Sequence, residues 1–353
     1  MSAYVLTAAR NHGAFIDACI ESVRAQTHTD WRMLVLDDGS SDDTVARVDA
    51  WCARDARIAL HRAPSPPSGA LGAYLQLLAL VPPGHDVALL DGDDVWLPTH
   101  LAESLAALRP EAGTAAAPTT GSARPRLVHG DLALIDADGR ELAPSLWRAA
   151  HLAPQPTSVR RLAIDNTVTG STIAMNAALV AELCARAPQR SSATAAFDSS
   201  PISAAAPAPA LYQDAWFALA AAALGQIVSR TAITVQYRQH TQNLVGASPR
   251  GAPRLSDLAS PAQRAARATA AHSASASAPA RDRLRRDLAR SYAQAAAFLD
   301  AYGDVLQPDD RAFLARYAAI PQLSRPLRAW TLFTLRRAPS DTLLRRLGVA
   351  LRG

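Results

Sequence analysis

Two stretches of the chain gather side chains that could do chemistry. The stronger is Leu89-Leu90-Asp91-Gly92-Asp93-Asp94-Val95-Trp96-Leu97-Pro98, which sets three carboxylates at the mouth of an apolar run. Carboxylates this close repel one another, so a cation or hydrogen-bond donors must compensate them. Hard divalent ions such as Mg²⁺ take oxygen ligands, typically one or two protein carboxylates plus the phosphate oxygens of a substrate. A metal–diphosphate site therefore explains the cluster economically. The alternative is a solvated acidic turn, but the apolar run before it and the Trp-Leu-Pro after it tie the turn to one place in the fold. The second stretch is Leu34-Val35-Leu36-Asp37-Asp38-Gly39-Ser40-Ser41-Asp42. Alone it reads as an ordinary turn followed by a helix cap. Beside the other carboxylates, Asp38 is placed to accept hydrogen bonds from a nucleoside base.

The elements that must position these residues alternate. Strand patterns over 4–8, 33–36, 58–61 and 87–90 are separated by helical patterns over 15–25, 42–53 and 72–80. Acidic residues open the second of these helices, where they favour its dipole. Such alternation indicates βαβ units and a mostly parallel sheet. Ligands of such sheets bind beyond the carboxyl ends of the strands, and both acidic clusters sit there. Residues 111–125, 187–210 and 247–280 are rich in Ala, Pro, Ser and Thr without hydrophobic period and read as insertions or linkers. The expected organisation is a catalytic-type domain over 1–246, a linker over 247–280 and a helical extension over 281–353.

Composition narrows the class. The 353 residues contain no lysine, and 36 arginines against 31 acidic residues leave a net charge of +5. The charge is dispersed, whereas nucleic-acid binding requires a clustered basic stripe. Hydrophobic residues make up 49% but aromatics only 5%, so alanine swells the apolar fraction. Three widely spaced cysteines, Cys19, Cys52 and Cys184, exclude a disulfide scaffold, and buried reduced thiols are expected. The first residues lack the pattern of a signal peptide, and no apolar stretch approaches a membrane span. A cytoplasmic protein, at most peripheral at the inner face of a membrane, is expected.

Residues 4–100 resemble the nucleotide-binding half of family 2 glycosyltransferases of the GT-A fold. Arg10-Asn11 stands where that family has Tyr-Asn. Cys19-Ile20-Glu21-Ser22-Val23-Arg24-Ala25-Gln26-Thr27 matches its first helix, Asp37-Asp38-Gly39-Ser40-Ser41-Asp42 its Asp-Asp-Gly-Ser-x-Asp, and Asp91-Gly92-Asp93-Asp94 its Asp-x-Asp-Asp. The likeness continues through Leu127-Val128-His129-Gly130-Asp131, Ile135-Asp136-Ala137-Asp138-Gly139, Val168-Thr169-Gly170-Ser171-Thr172 and Tyr212-Gln213-Asp214-Ala215-Trp216. Tyr237-Arg238-Gln239-His240-Thr241-Gln242-Asn243-Leu244-Val245-Gly246 is similar to the rhamnosyltransferase branch.

The resemblance implies an α/β GT-A fold, Rossmann-like with a mostly parallel central sheet flanked by helices, followed by a C-terminal helical extension. It implies an inverting, metal-dependent transfer of a sugar from a nucleotide-diphosphate donor, rhamnose first among the candidates, to a cell-surface polysaccharide or lipid-linked glycan. Asp214 is then the general base, or caps the helix that follows it; the two roles are compatible. Ala8, Arg10, Asp38, Gly69, Asp91 and Arg238 fall on the donor side, and Asp93, Asp94 and His240 on a Mg²⁺ or Mn²⁺ ion. Gly170 and Trp216 fall on the acceptor side. Two departures stand out: Arg10 replaces a base-stacking Tyr, so that a guanidinium would stack instead, and Ser68-Gly69-Ala70 replaces Asn-x-Gly. The Arg-rich segment 327–352 either packs on the catalytic domain or lies on an anionic membrane surface. The rival functions are a nucleotidyltransferase on a similar sheet and a non-catalytic sugar-nucleotide binder.

Overall fold

A computed structural model of the chain describes residues 2–63, 69–109, 123–150, 152, 157–187, 211–240, 277–324, 326–328 and 331, with 277–286 as backbone only. Strand β1 (Ala3–Ala9) is buried along nearly its whole length, as expected for a central strand covered on both faces. Its odd and even residues divide two cores. Tyr4 and Leu6 face one apolar cluster, while Val5 joins Ile16, Ile20 and Val23 in the other. Helix α1 (Ile16–Arg24) owes its place to that second set: Ile16, Cys19, Ile20 and Val23 recur at helical spacing and are fully buried.

Strands β2 (Trp31–Asp37), β3 (Ile58–Arg62) and β4 (Val87–Leu89) lie parallel in the order β4-β1-β2-β3, connected through α2 (Thr44–Cys52) and α3 (Gly69–Leu80). The short β5 (Val95–Trp96) and α4 (His100–Ala107) follow, then β6 (Arg126–Gly130), β7 (Ala133–Ile135) and β8 (Glu141–Ala143). Beyond α5 (Leu146–Ala149) and α6 (Val159–Ile164) come β9 (Ala174–Met175), α7 (Ala177–Ala185), α8 (Gln213–Leu224), β10 (Gln226–Arg230) and β11 (Val235–Arg238). Strand β9 runs antiparallel between β4 and β6 and completes a seven-stranded sheet, β10-β6-β9-β4-β1-β2-β3. A second sheet, β5-β11-β7-β8, brings β11 against the segment that follows β4. The carboxyl ends of β1, β2 and β4 therefore share one edge of the sheet, where the sequence places both acidic motifs.

Some boundaries differ from those expected. The second helix starts at Thr44, because Asp42 lies outside it and accepts from the Thr44 amide at 3.0 Å. The third starts three residues early, at Gly69, whose φ of 70° suits a residue without a Cβ. Of the expected insertions, 110–122 and 188–210 lie outside the described residues. The expected linker over 247–280 overlaps α9 (Ser277–Tyr302), which tolerates Pro279 in its first turn, where no intrahelical N–H bond is lost. Segment 332–353, the bulk of the Arg-rich tail, also lies outside the described residues. Cys19 is buried as expected, Cys52 is half-buried and Cys184 is exposed.

Helix α9 and the following α10 (Pro308–Ala318) are part of the main apolar cluster. Ala215 to Ala221 of α8 are all buried, as an all-round apolar helix must be. Trp216 packs edge-on to Phe298 and Tyr302 of α9, at 5.5 and 6.0 Å between ring centroids.

Candidate active site

At the shared strand edge opens a cleft of about 740 Å³. One part of its lining comes from the strand-end motifs: Ala8 and Ala9 at the end of β1, Arg10, Asn11 and His12 after it, Asp38 after β2, and Gly69, Ala70 and Ala73 of α3. The turn after β1 is stiff. Asn11 adopts a left-handed φ of 57°, its amide donates to Ser40 Oγ at 3.0 Å, and its side-chain oxygen accepts from the Ser41 amide at 2.8 Å. Asp37 turns away from the cleft and receives the Gly39 and Ser40 amides. Asp38 lines the cleft, with Oδ2 accepting from the Gly69 amide at 2.9 Å. Ala8, Arg10, Asp38, Gly69 and Asp91 are thus brought together on one cleft.

The acidic loop after β4 sorts its three carboxylates. Asp91 and Asp93 line the cleft and Asp94 does not. Asp91 Oδ1 accepts from the Tyr74 hydroxyl at 2.7 Å, and burial, reinforced by the charge of Asp93, raises its pKa. For Asp93 burial works in the same direction. It is outweighed by the bond to His240 Nε2 at 2.9 Å and by the positive character of His12 and His240, which hold the carboxyl below its usual range. Asp94 is fully buried, bonded by the Ser171 hydroxyl and by the Arg238 amide at 2.8 Å, and burial pushes its pKa well up.

Two residues lie elsewhere than expected. Asp94, expected on the metal, is buried with a hydrogen bond on each oxygen and does not line the cleft. Arg238 is also buried: its Nε donates to the Asp93 carbonyl at 2.9 Å and its guanidinium to the Asp136 and Ala137 carbonyls at 3.2 and 2.9 Å. It supports the acidic loop from behind and does not line the cleft. The cause is β11, which runs alongside β5 and delivers Arg238 to the rear of the loop. Among the described residues no three His, Cys, Asp or Glu side chains converge as a preformed metal cage. Asp91 and Asp93 nevertheless form a pair of hard oxygen donors on the cleft, a set that suits Mg²⁺ or Mn²⁺ when phosphate oxygens complete the shell.

The opposite wall comes from α6, α8 and α9, through residues that include Asp165, Tyr212, Gln213, Asp214, Arg290 and Ser291. Gly170 is the junction: a Cβ there would lie 3.4 Å from Asp91 Oδ2 and 3.2 Å from Gln213 Nε2. Asp214 sits in the first turn of α8 and is not its cap, which is Tyr212. Its Oδ1 accepts from the Ala215 amide at 2.6 Å, and burial raises its pKa to about 7, with a smaller push from Asp91. Trp216, expected on the acceptor side, is fully buried against α9 and belongs to the core. Two residues on from Asp214, about 200° around the helix axis, its side chain leaves on the other face, away from the cleft.

Sequence reasoning missed His12, Tyr74, Ser171, Tyr212, Arg290 and Gln294. His12 had a signal, since it comes directly after Arg10-Asn11 at the end of the first strand. Its Nδ1 is buried with no hydrogen-bond partner among the described residues, and a Cβ on Gly92 would lie 2.4 Å from it. Ser171 and Tyr212 sit beside Gly170 and Asp214 in the family-like runs, and Tyr74, Arg290 and Gln294 lie in segments whose local pattern announces only a helix.

A mostly parallel sheet with strand-end carboxylates on a nucleotide-sized cleft defines a GT-A fold, and comparison with known proteins agrees. Residues 4–129 match the family model described as Glycosyl transferase family 2. The chain is 37% identical over 86 residues to the Escherichia coli UDP-Glc:alpha-D-GlcNAc-diphosphoundecaprenol beta-1,3-glucosyltransferase WfgD, covering 24% of this chain and 32% of that protein. It is 33% identical over 104 residues to the uncharacterized glycosyltransferase alr2836 of Nostoc sp., covering 29% and 31%. These matches span about a third of each relative's length. Among solved structures, residues 1–349 of S. aureus TarS in complex with UDP-GlcNAc superpose with a TM-score of 0.51 at 12% identity, covering 100% of this chain and 89% of that one. That likeness concerns the fold alone.

Proposed function

We propose that the protein is an inverting glycosyltransferase that moves a sugar from a nucleoside diphosphate to a hydroxyl of a glycan or lipid-linked acceptor, with Asp214 as general base. The observation that carries this reading is Asp214 itself: a carboxyl with a pKa near 7, lining the same cleft as Asp38, Asp91 and Asp93. A base works best when its pKa is close to the operating pH. Asp38 and Gly69 would receive the nucleoside, and Arg10 would lie flat on its base. Asp91 and Asp93 would hold a divalent ion, Mg²⁺ or Mn²⁺, which when bound supplies positive charge beside the departing diphosphate. His240 keeps Asp93 ionised for that purpose, and Arg238 and Asp94 keep the loop in shape.

The acceptor would enter between Asp214 and the α9 wall. Asp214 takes the proton of the acceptor hydroxyl while that oxygen bonds to the anomeric carbon. The carbon–oxygen bond to the diphosphate breaks on the opposite face, and the nucleoside diphosphate leaves with the electron pair. Attack from the face opposite the leaving group inverts the anomeric configuration. Deoxythymidine-diphosphate rhamnose is the first donor to test, because of the Tyr237–Arg238–Gln239–His240 run. UDP-glucose is the second, because it is the donor in the name of the Escherichia coli relative.

A panel of UDP-, GDP- and dTDP-sugars with Mg²⁺ or Mn²⁺ tests the proposal. Nucleoside diphosphate release is expected with one donor, abolished by EDTA. Release of inorganic diphosphate would point instead to nucleotidyl transfer. Absence of both release and nucleotide binding would remove the enzyme reading altogether.

A further inference from the structure

Tyr212 is held by α9 at three points. Gln294 Oε1 accepts from the Tyr212 amide at 3.0 Å, and Gln294 Nε2 donates to the Tyr212 carbonyl at 2.9 Å. Arg290 donates to the Tyr212 hydroxyl and lies over its ring, 5.3 Å from the centroid. Gln294 is only 4% exposed, and a primary amide facing one N–H and one C=O has a single satisfying orientation. Tyr212 is the cap of α8 and offers no side-chain cap of its own. Its carbonyl also receives the first helical bond, from the Trp216 amide at 3.1 Å. Capping is ordinarily done by a residue within the same chain segment. Here a residue 82 positions away does it, gripping the chain two residues ahead of Asp214.

We infer that Gln294 is a positioning residue for the reaction, gripping the backbone of Tyr212 and so setting where the first turn of α8 presents Asp214 to the cleft. The inference rests on the reading of Asp214 as base. It makes the C-terminal helix a working part of the site and not an appendage. A carboxylate that must meet an acceptor hydroxyl tolerates little displacement, since about 1 Å of misplacement can cost on the order of 100-fold in rate.

Two variants of the full chain test this. Gln294→Met removes both bonds at similar volume, and Gln294→Glu keeps an acceptor for the Tyr212 amide while losing the donor to its carbonyl. With the donor identified by the panel, kcat is expected to fall about 100-fold in the first and about 10-fold in the second. The donor KM should stay within about twofold, because the nucleotide wall is untouched. A merely structural role would lower kcat only in step with the melting temperature. Wild-type kcat in either folded variant, or a loss confined to KM, overturns the inference. Amide hydrogen exchange over residues 211–216 supplies a readout free of catalysis. Slow exchange at the Tyr212 amide in the wild type, faster by tenfold or more in Gln294→Met, is the expected result. If the wild type turned over no donor, the reading of Asp214 would fall, and equal exchange in wild type and variant would separately overturn the clamp.

Discussion

At the scale of single residues, Asp214 carries the sharpest consequences. Its folded pKa of about 7 stands above the ordinary carboxyl value, chiefly through burial. The proposed base must be ionised, so kcat/KM should fall in the acid with one proton and a midpoint near pH 7, a profile read from nucleoside diphosphate release. Asp214→Asn should lower kcat about 100- to 10,000-fold and leave donor binding by calorimetry unchanged. The same shift has an opposite effect on stability. A group whose folded pKa is raised favours the fold below its unfolded pKa of about 4, and this contribution is lost as pH rises through about 7. Asp214→Asn should therefore melt higher than wild type at pH 8 and show no such gain at pH 4. A variant that was both inactive and less stable at pH 8 would argue that Asp214 is a structural group.

At the scale of elements, the acidic loop is a product of two sheets. Strand β4 delivers Asp91, Asp93 and Asp94, but β11 determines which of them faces the cleft, by inserting Arg238 behind them. Arg238→Met would leave the carbonyls of Asp93, Asp136 and Ala137 without that donor. A loss of roughly 2–4 kcal/mol in a urea titration is expected, together with a weaker donor affinity. Ser171 acts in the same sense from the turn beside Gly170, donating to Asp94 and accepting from the Asp91 amide at 3.2 Å. Unaltered donor affinity in a folded Arg238→Met protein would mean that the loop keeps its shape by itself.

At the scale of the whole molecule, the N-terminal sheet and the C-terminal helices share one apolar cluster, through Trp216, Phe298 and Tyr302. Phe298→Ala should destabilise the protein by about 3–5 kcal/mol. Tryptophan fluorescence and far-ultraviolet circular dichroism should still report one coincident transition. Separate transitions would show that the helices fold as an independent unit. No helix among the described residues is long and apolar enough to cross a membrane.

Much of this protein was legible in its residues. The alternation of apolar periods determined β1 to β4 and the helices between them, because period and turn chemistry act within a few residues of one another. The strand-end motifs determined which residues of β1, β2 and β4 line the cleft for a related reason: in a parallel sheet, the turns that leave neighbouring strands must meet at one edge. Tertiary structure alone decided which aspartates of the acidic loop face the cleft, since that depends on Arg238 and Ser171 arriving from elsewhere. It also turned Trp216 inward and put α9 on the far wall, where Gln294 meets Tyr212. No local pattern announces such a partnership. A buried amide finds its mate by the packing of two helices, and sequence spacing constrains that packing only weakly.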